Sequence, residues 1–203
     1  MADQPQQQPP EPEPEPELAV QQQQWEGSVE ARLPSTPAAA AWPHVASFCT
    51  LHRYLPGINV CERVAGEDGV PGCVRYVASR PPAEADQLRG EEAAPAGEAE
   101  TWAREELLER DDARRRLVYG VVGSNMGFGR YVSTMTIVGN EEEEHANAPA
   151  AAAGCRLLWA FECEPVQGWT RDGLVGYIDA AAKGMAERIE VATAGGDAAA
   201  DCS

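Results

Sequence analysis

Thr170-Arg-Asp-Gly-Leu-Val-Gly-Tyr-Ile-Asp-Ala-Ala-Ala-Lys-Gly-Met-Ala-Glu-Arg-Ile-Glu-Val-Ala-Thr193 is the one long helical pattern in the chain. Leu174, Tyr177, Ile178, Ala181, Met185 and Ile189 recur at steps of three and four, which places them on one helix face. Thr170 stands where an N-cap is needed, and Asp172 suits the positive end of the helix dipole. An amphipathic helix of this length must bury its stripe against another layer. Nearly everything before it reads as strand.

Trp25, Gly27, Val29, Ala31 and Leu33 alternate with Glu26, Ser28, Glu30 and Arg32, the period of a half-buried strand. Ile58 to Ala65, a turn at Glu67-Asp68-Gly69, and Cys73 to Ser79 read as a hairpin. Four further strands are expected at Thr101 to Glu109, Arg115 to Val122, Arg130 to Val138 and Cys155 to Glu164. Between the first strand and the hairpin, Thr36-Pro37 resembles an N-cap followed by proline at the first helical position. Trp42, Val45 and Phe48 then form a short stripe, its start blurred by Pro43, and a second short helix or turn runs to Pro56-Gly57. The order predicts an α+β fold: a curved seven-strand antiparallel sheet around one long C-terminal helix, with two short helices after the first strand. A sheet curved in this way leaves a hollow suited to a small apolar ligand.

Composition narrows the partners. The chain has 203 residues, a net charge of -17 and a single lysine, Lys183. Nucleic acid and anionic membrane surfaces are excluded as partners on charge. No apolar run reaches the length of a membrane span, and the N-terminus lacks the basic and apolar regions of a signal peptide. A cytoplasmic protein with nuclear access possible is expected. Residues 1–23 are a Pro/Gln/Glu-rich tail that cannot bury enough apolar surface to order itself. The folded domain is expected over residues 24–194, with solvated acidic loops near 80–99 and 139–154 and a tail at 195–203. Of six cysteines, Cys61, Cys73, Cys155 and Cys163 fall in strand-like runs where a thiol acts as a small hydrophobe. No Cys-x-x-Cys occurs, and His44, His52 and His145 have no metal-ligand spacing with them. Reduced thiols, no metal site and no cofactor are expected. There is no nucleophile elbow and no phosphate loop.

Two strand residues carry chemistry. Arg75 shares a face with Cys73 and Val77, and Glu105 shares one with Thr101, Ala103 and Leu107. If both faces look inward, a guanidinium and a carboxylate meet in an apolar interior, where a charge is costly unless paired. If they look outward, they form a surface ion pair of little consequence.

Trp25-Glu-Gly-Ser-Val, Leu33-Pro-Ser-Thr-Pro, Val60-Cys-Glu, Gly72-Cys-Val-Arg-Tyr-Val, Trp102-Ala-Arg-Glu, Tyr131 with Thr134-Met-Thr-Ile-Val, and Trp159-Ala-Phe-Glu-Cys163 together resemble the lachrymatory-factor synthases of plants. The resemblance spans roughly residues 25–193. It implies the wider helix-grip superfamily of birch-pollen-allergen, START and polyketide-cyclase type. It further implies rearrangement of an alkenyl sulfenic acid into a thial S-oxide, without cofactor. The family's essential arginine falls on Arg75 and its essential glutamate on Glu105, its cavity tyrosines on Tyr119 and Tyr131, and a cavity tryptophan on Trp159. Strand alternation groups Leu117, Tyr119 and Val121, and likewise Leu157, Trp159 and Phe161. Thr101 and Phe161 complete the expected substrate-binding set. Thr101 stands where the family carries an aromatic residue, and Ala181 where its long helix carries a large one, so the expected hollow is wider. The alternative is a non-catalytic carrier of a small hydrophobic metabolite. A hormone receptor of the abscisic-acid type is disfavoured, because its pocket lysine, gate loop and latch have no counterparts here.

Overall fold

The computed structural model describes residues 24–80, 100–139 and 154–195. The expected tails and most of the two expected acidic loops lie outside the described residues. Seven strands form one antiparallel sheet: β1 Trp25–Leu33, β2 Val60–Ala65, β3 Val74–Ser79, β4 Thr101–Asp111, β5 Arg116–Ser124, β6 Tyr131–Gly139 and β7 Cys155–Cys163. Their order is β1-β7-β6-β5-β4-β3-β2. Six strands thus meander, and β1 adds to the far side of β7. Helix α1 (Ala38–Ala46) and a 3-10 turn (Phe48–Arg53) follow β1, and α2 (Arg171–Ala194) closes the chain. Fold class, strand count and element order are those read from the sequence.

Helix α2 is capped by Thr170, whose hydroxyl accepts the Gly173 N–H at 3.0 Å. It packs chiefly on β1, with β7 and α1 beside it. Gly27 permits this closeness: a β-carbon there would stand 2.4 Å from the Phe161 ring and 2.9 Å from Val175 on the helix. On α2, Gly184 likewise admits Pro56, whose Cγ would lie 2.4 Å from an added β-carbon. The buried helix face is Leu174, Ile178, Ala182, Met185, Ala186 and Ile189.

Two local expectations are corrected. Tyr177 is not in the buried stripe but 51% exposed, edge-on to Trp169 at 5.6 Å between ring centroids. The stripe is centred on Leu174 and Ile178, so Tyr177 and Ala181 fall on its flank, while Ala182 and Ala186 take the sheet side. Thr36 does not cap α1. Pro37 holds the cap position with extended backbone (ψ 149°), its carbonyl accepting the N–H groups of Ala40 and Ala41, while Thr36 is buried. Phe48 lies beyond α1 and opens the 3-10 turn.

The core lies between α2, α1 and the inner sheet face. It includes Leu33, Val45, Leu51, Leu107, Leu157 and Ile189, each at most 3% exposed. No described cysteine is in a disulfide. Among the described residues no helix is long and apolar enough to cross a membrane.

Candidate functional site

The hairpin β3–β4 sets Arg75 directly opposite Glu105. Both side chains point inward because each strand's alternation is locked by its buried neighbours, Cys73 and Val77 on β3, Ala103 and Leu107 on β4. Arg75 Nε donates to Glu105 Oε2 at 2.7 Å, and Nη2 lies 2.6 Å from the same oxygen. Nη1 donates to the Phe48 carbonyl. The Phe48 ring lies under the guanidinium at 3.8 Å and the Tyr119 ring at 5.2 Å. Arg75 is 1% exposed, the largest fully buried side chain described. Burial pulls its pKa down, but the charge of Glu105, with Tyr119 and Cys61, outweighs this, so the pKa is raised and the cation is secure.

Glu105 differs from its partner in access. Its side chain keeps 12% exposure against 2% for that of Arg75. Both arginine contacts fall on Oε2. Oε1 has no hydrogen bond among the described residues, and it is not a buried orphan either. One oxygen is held and the other is open.

Two buried phenols share this inner face. Tyr119 on β5 and Tyr131 on β6 are 3% and 7% exposed. Burial above all, then neighbouring negative charge, holds both phenols well above their usual pKa, so they remain donors. The charge of Glu105 raises both, and it raises Tyr177 as well. Tyr177 is half exposed overall, yet burial is the first cause of its shift.

Trp159 on β7 is 4% exposed and donates its Nε1–H to Ser133 at 2.6 Å. Phe161 is 2% exposed and stacks on Tyr131 at 6.0 Å. Thr101 does not join this set: it is exposed at the first position of β4, where the strand emerges from the sheet, and Ala103 is the first buried residue after it. Sequence reading missed two contributors. Ser133, fully buried, donates to the Ala160 carbonyl at 3.2 Å and accepts from Trp159. Its alternation with Tyr131 and Met135 was the available signal. Phe48 had none, since its role depends on how a turn meets the sheet.

A groove of about 530 Å³ lies on the opposite, outer face of the sheet, along Ser28, Arg116, Val118, Val132, Thr134 and Ala160. These residues alternate out of phase with the set around Arg75. The groove is not the expected hollow.

Known proteins agree with this architecture. The family described as "Polyketide cyclase / dehydrase and lipid transport" matches residues 24–190. The protein XoxI from Bacillus cereus is similar in structure, with a TM-score of 0.55 and 14% identity over 87% of this chain and 99% of its own. A protein of Thermobifida fusca gives a TM-score of 0.53 and 22% identity, covering 82% of this chain and 92% of its own. At such identities the likeness is one of fold.

Proposed function

We propose that this chain, which belongs to the polyketide cyclase / dehydrase and lipid transport family, is an isomerase of the lachrymatory-factor-synthase type. Its substrate would be a small alkenyl sulfenic acid, or a related small apolar molecule, and its product a thial S-oxide. One observation carries this reading. Arg75 occupies a single oxygen of Glu105, leaving Oε1 open on the inner sheet face that also carries the buried Tyr119 and Tyr131. The family's cyclase, dehydrase and lipid-transport description supports a small hydrophobic ligand against this face.

The reaction moves one proton. Oε1 takes it from the S–O–H group, a sulfur lone pair forms the C=S bond, and the C=C pair receives the proton at its far carbon. Nothing is oxidised, nothing leaves, and no cofactor is required. Arg75 is a positioning residue in this scheme. Its burial behind the carboxylate leaves stabilisation of the S–O charge to the phenols of Tyr119 and Tyr131. Trp159 and Phe161 form the apolar wall, and Thr101 lies at the rim.

The test is turnover of freshly generated alkenyl sulfenic acid by purified protein. Wild type should yield thial S-oxide above the spontaneous background. Glu105→Gln, which keeps shape and removes the proton carrier, should lose at least ~10²-fold in rate. Wild type that turns nothing over but binds small apolar metabolites points to the carrier instead. An active Glu105→Gln protein removes the mechanism while leaving the family intact.

A further inference from the structure

Outside the site just described, the 3-10 turn and the β2–β3 connection meet in a cluster of two thiols and a carboxylate. Cys49 lies in the turn, Asp68 at the tip of the connection, and Cys73 at the foot of β3. The Cys49 and Cys73 sulfurs are 3.7 Å apart, and all ligand atoms of the three residues lie within 4.8 Å of one another. The Asp68 carboxylate is anchored beside the thiols by the Cys49 backbone N–H at 3.0 Å. Cys73 is fully buried, while Cys49 and Asp68 are half-buried, so a small ion has a way in.

We infer that Cys49, Asp68 and Cys73 form a binding site for a thiophilic divalent cation of the zinc class, with the fourth position left to water. Two thiolates at the roughly 2.3 Å bond length of zinc, on neighbouring corners of a tetrahedron, stand about 3.8 Å apart. The observed separation of 3.7 Å matches this edge. A disulfide would need the sulfurs at roughly 2.05 Å. Two soft thiolates with one carboxylate select zinc over magnesium or calcium, which prefer all-oxygen shells. On binding, the two thiol protons leave and two metal–sulfur bonds form, with no change of oxidation state.

The position gives the ion a structural task. Cys49 follows Phe48, whose carbonyl and ring hold Arg75, and Cys73 precedes Arg75 by two residues on the same strand face. The ion would tie the turn to the hairpin and brace the guanidinium from behind.

The experiment uses the full chain, reduced and stripped of metal, titrated with Co²⁺ as a spectroscopic probe and then with Zn²⁺ against a chromophoric chelator. One equivalent should bind, with thiolate-to-cobalt charge-transfer bands that zinc abolishes. Cys49→Ser and Asp68→Asn, both at half-buried positions, should keep the circular dichroism of the wild type. Each should weaken zinc by at least ~10²-fold, more than the roughly 10- to 100-fold lost with an outer-shell partner. Cys61→Ser should bind as wild type does. Absence of charge-transfer bands in the wild type overturns the proposal. So do bands undiminished in Cys49→Ser, which place the ion elsewhere in the chain, and so does a chain that forms a Cys49–Cys73 disulfide in air and, once reduced, takes up no metal.

Discussion

The sheet has two halves that solve the burial problem in opposite ways. Under α2, strands β1 and β7 present Val29, Ala31, Leu33, Leu157 and Phe161, all apolar and at most 9% exposed. Toward β3, β4 and β5 the inner face carries Arg75, Glu105 and Tyr119 instead. Strand β6 records the change along its own length, with Tyr131 and Ser133 at one end and Met135 and Ile137 at the other. The helix-covered half gains stability from packing alone. The other half places an ion pair and phenols inside, which costs desolvation and is retained where polar chemistry is wanted.

That contrast can be broken first at Arg75. Arg75→Leu leaves Glu105 and the Phe48 carbonyl without their donor, so unfolding free energy should drop by about 3–5 kcal/mol in urea titrations. Removing both charges with Arg75→Leu/Glu105→Leu should recover much of that loss, since an apolar pair restores compensation. A double variant no more stable than the single one would mean that the pair itself, and not the unpaired charge, holds this half together.

Met185→Ala tests the covered half. Met185 is fully buried on α2, and alanine keeps the helix, so the loss of about 2–5 kcal/mol should come from packing alone. Turnover per folded molecule should be unchanged. A comparable fall in turnover would show that the halves are not separable.

Alkaline pH sharpens the comparison next. Tyr119 and Tyr131 have folded pKa values above their ordinary 10.0, so their contribution is full below that value and is lost as pH rises past it. Urea midpoints measured from neutral pH to above 10.0 should therefore fall, and fall less steeply in Tyr119→Phe/Tyr131→Phe. Identical slopes would place the alkaline weakness elsewhere. The smallest effect is expected at Thr170→Ala, which removes the α2 cap and should cost ~1 kcal/mol in the same titration.

The fold was legible because its signals are local. Alternation with period two marked most of the strands, and steps of three and four marked α2. These periods are set by backbone geometry and survive without knowledge of neighbours. The same property set Arg75 and Glu105 on faces shared with buried residues. Errors arose where a local signal was ambiguous by one residue or by one helix flank. Pro37 took the cap from Thr36, and Tyr177 fell beside the stripe rather than in it.

By itself, the sequence determined the element order, which residues share a strand face and the identity of the charged pair. Only the tertiary structure decided which oxygen of Glu105 the guanidinium takes, that Phe48 closes the other side of Arg75, and that Ser133 ties Trp159 to the Ala160 backbone. It also brought Cys49, Asp68 and Cys73 together without any short sequence motif. The physical reason is common to all four. Periodicity tells a side chain which way to face, whereas what it meets depends on register, loop path and helix placement across many residues of intervening chain.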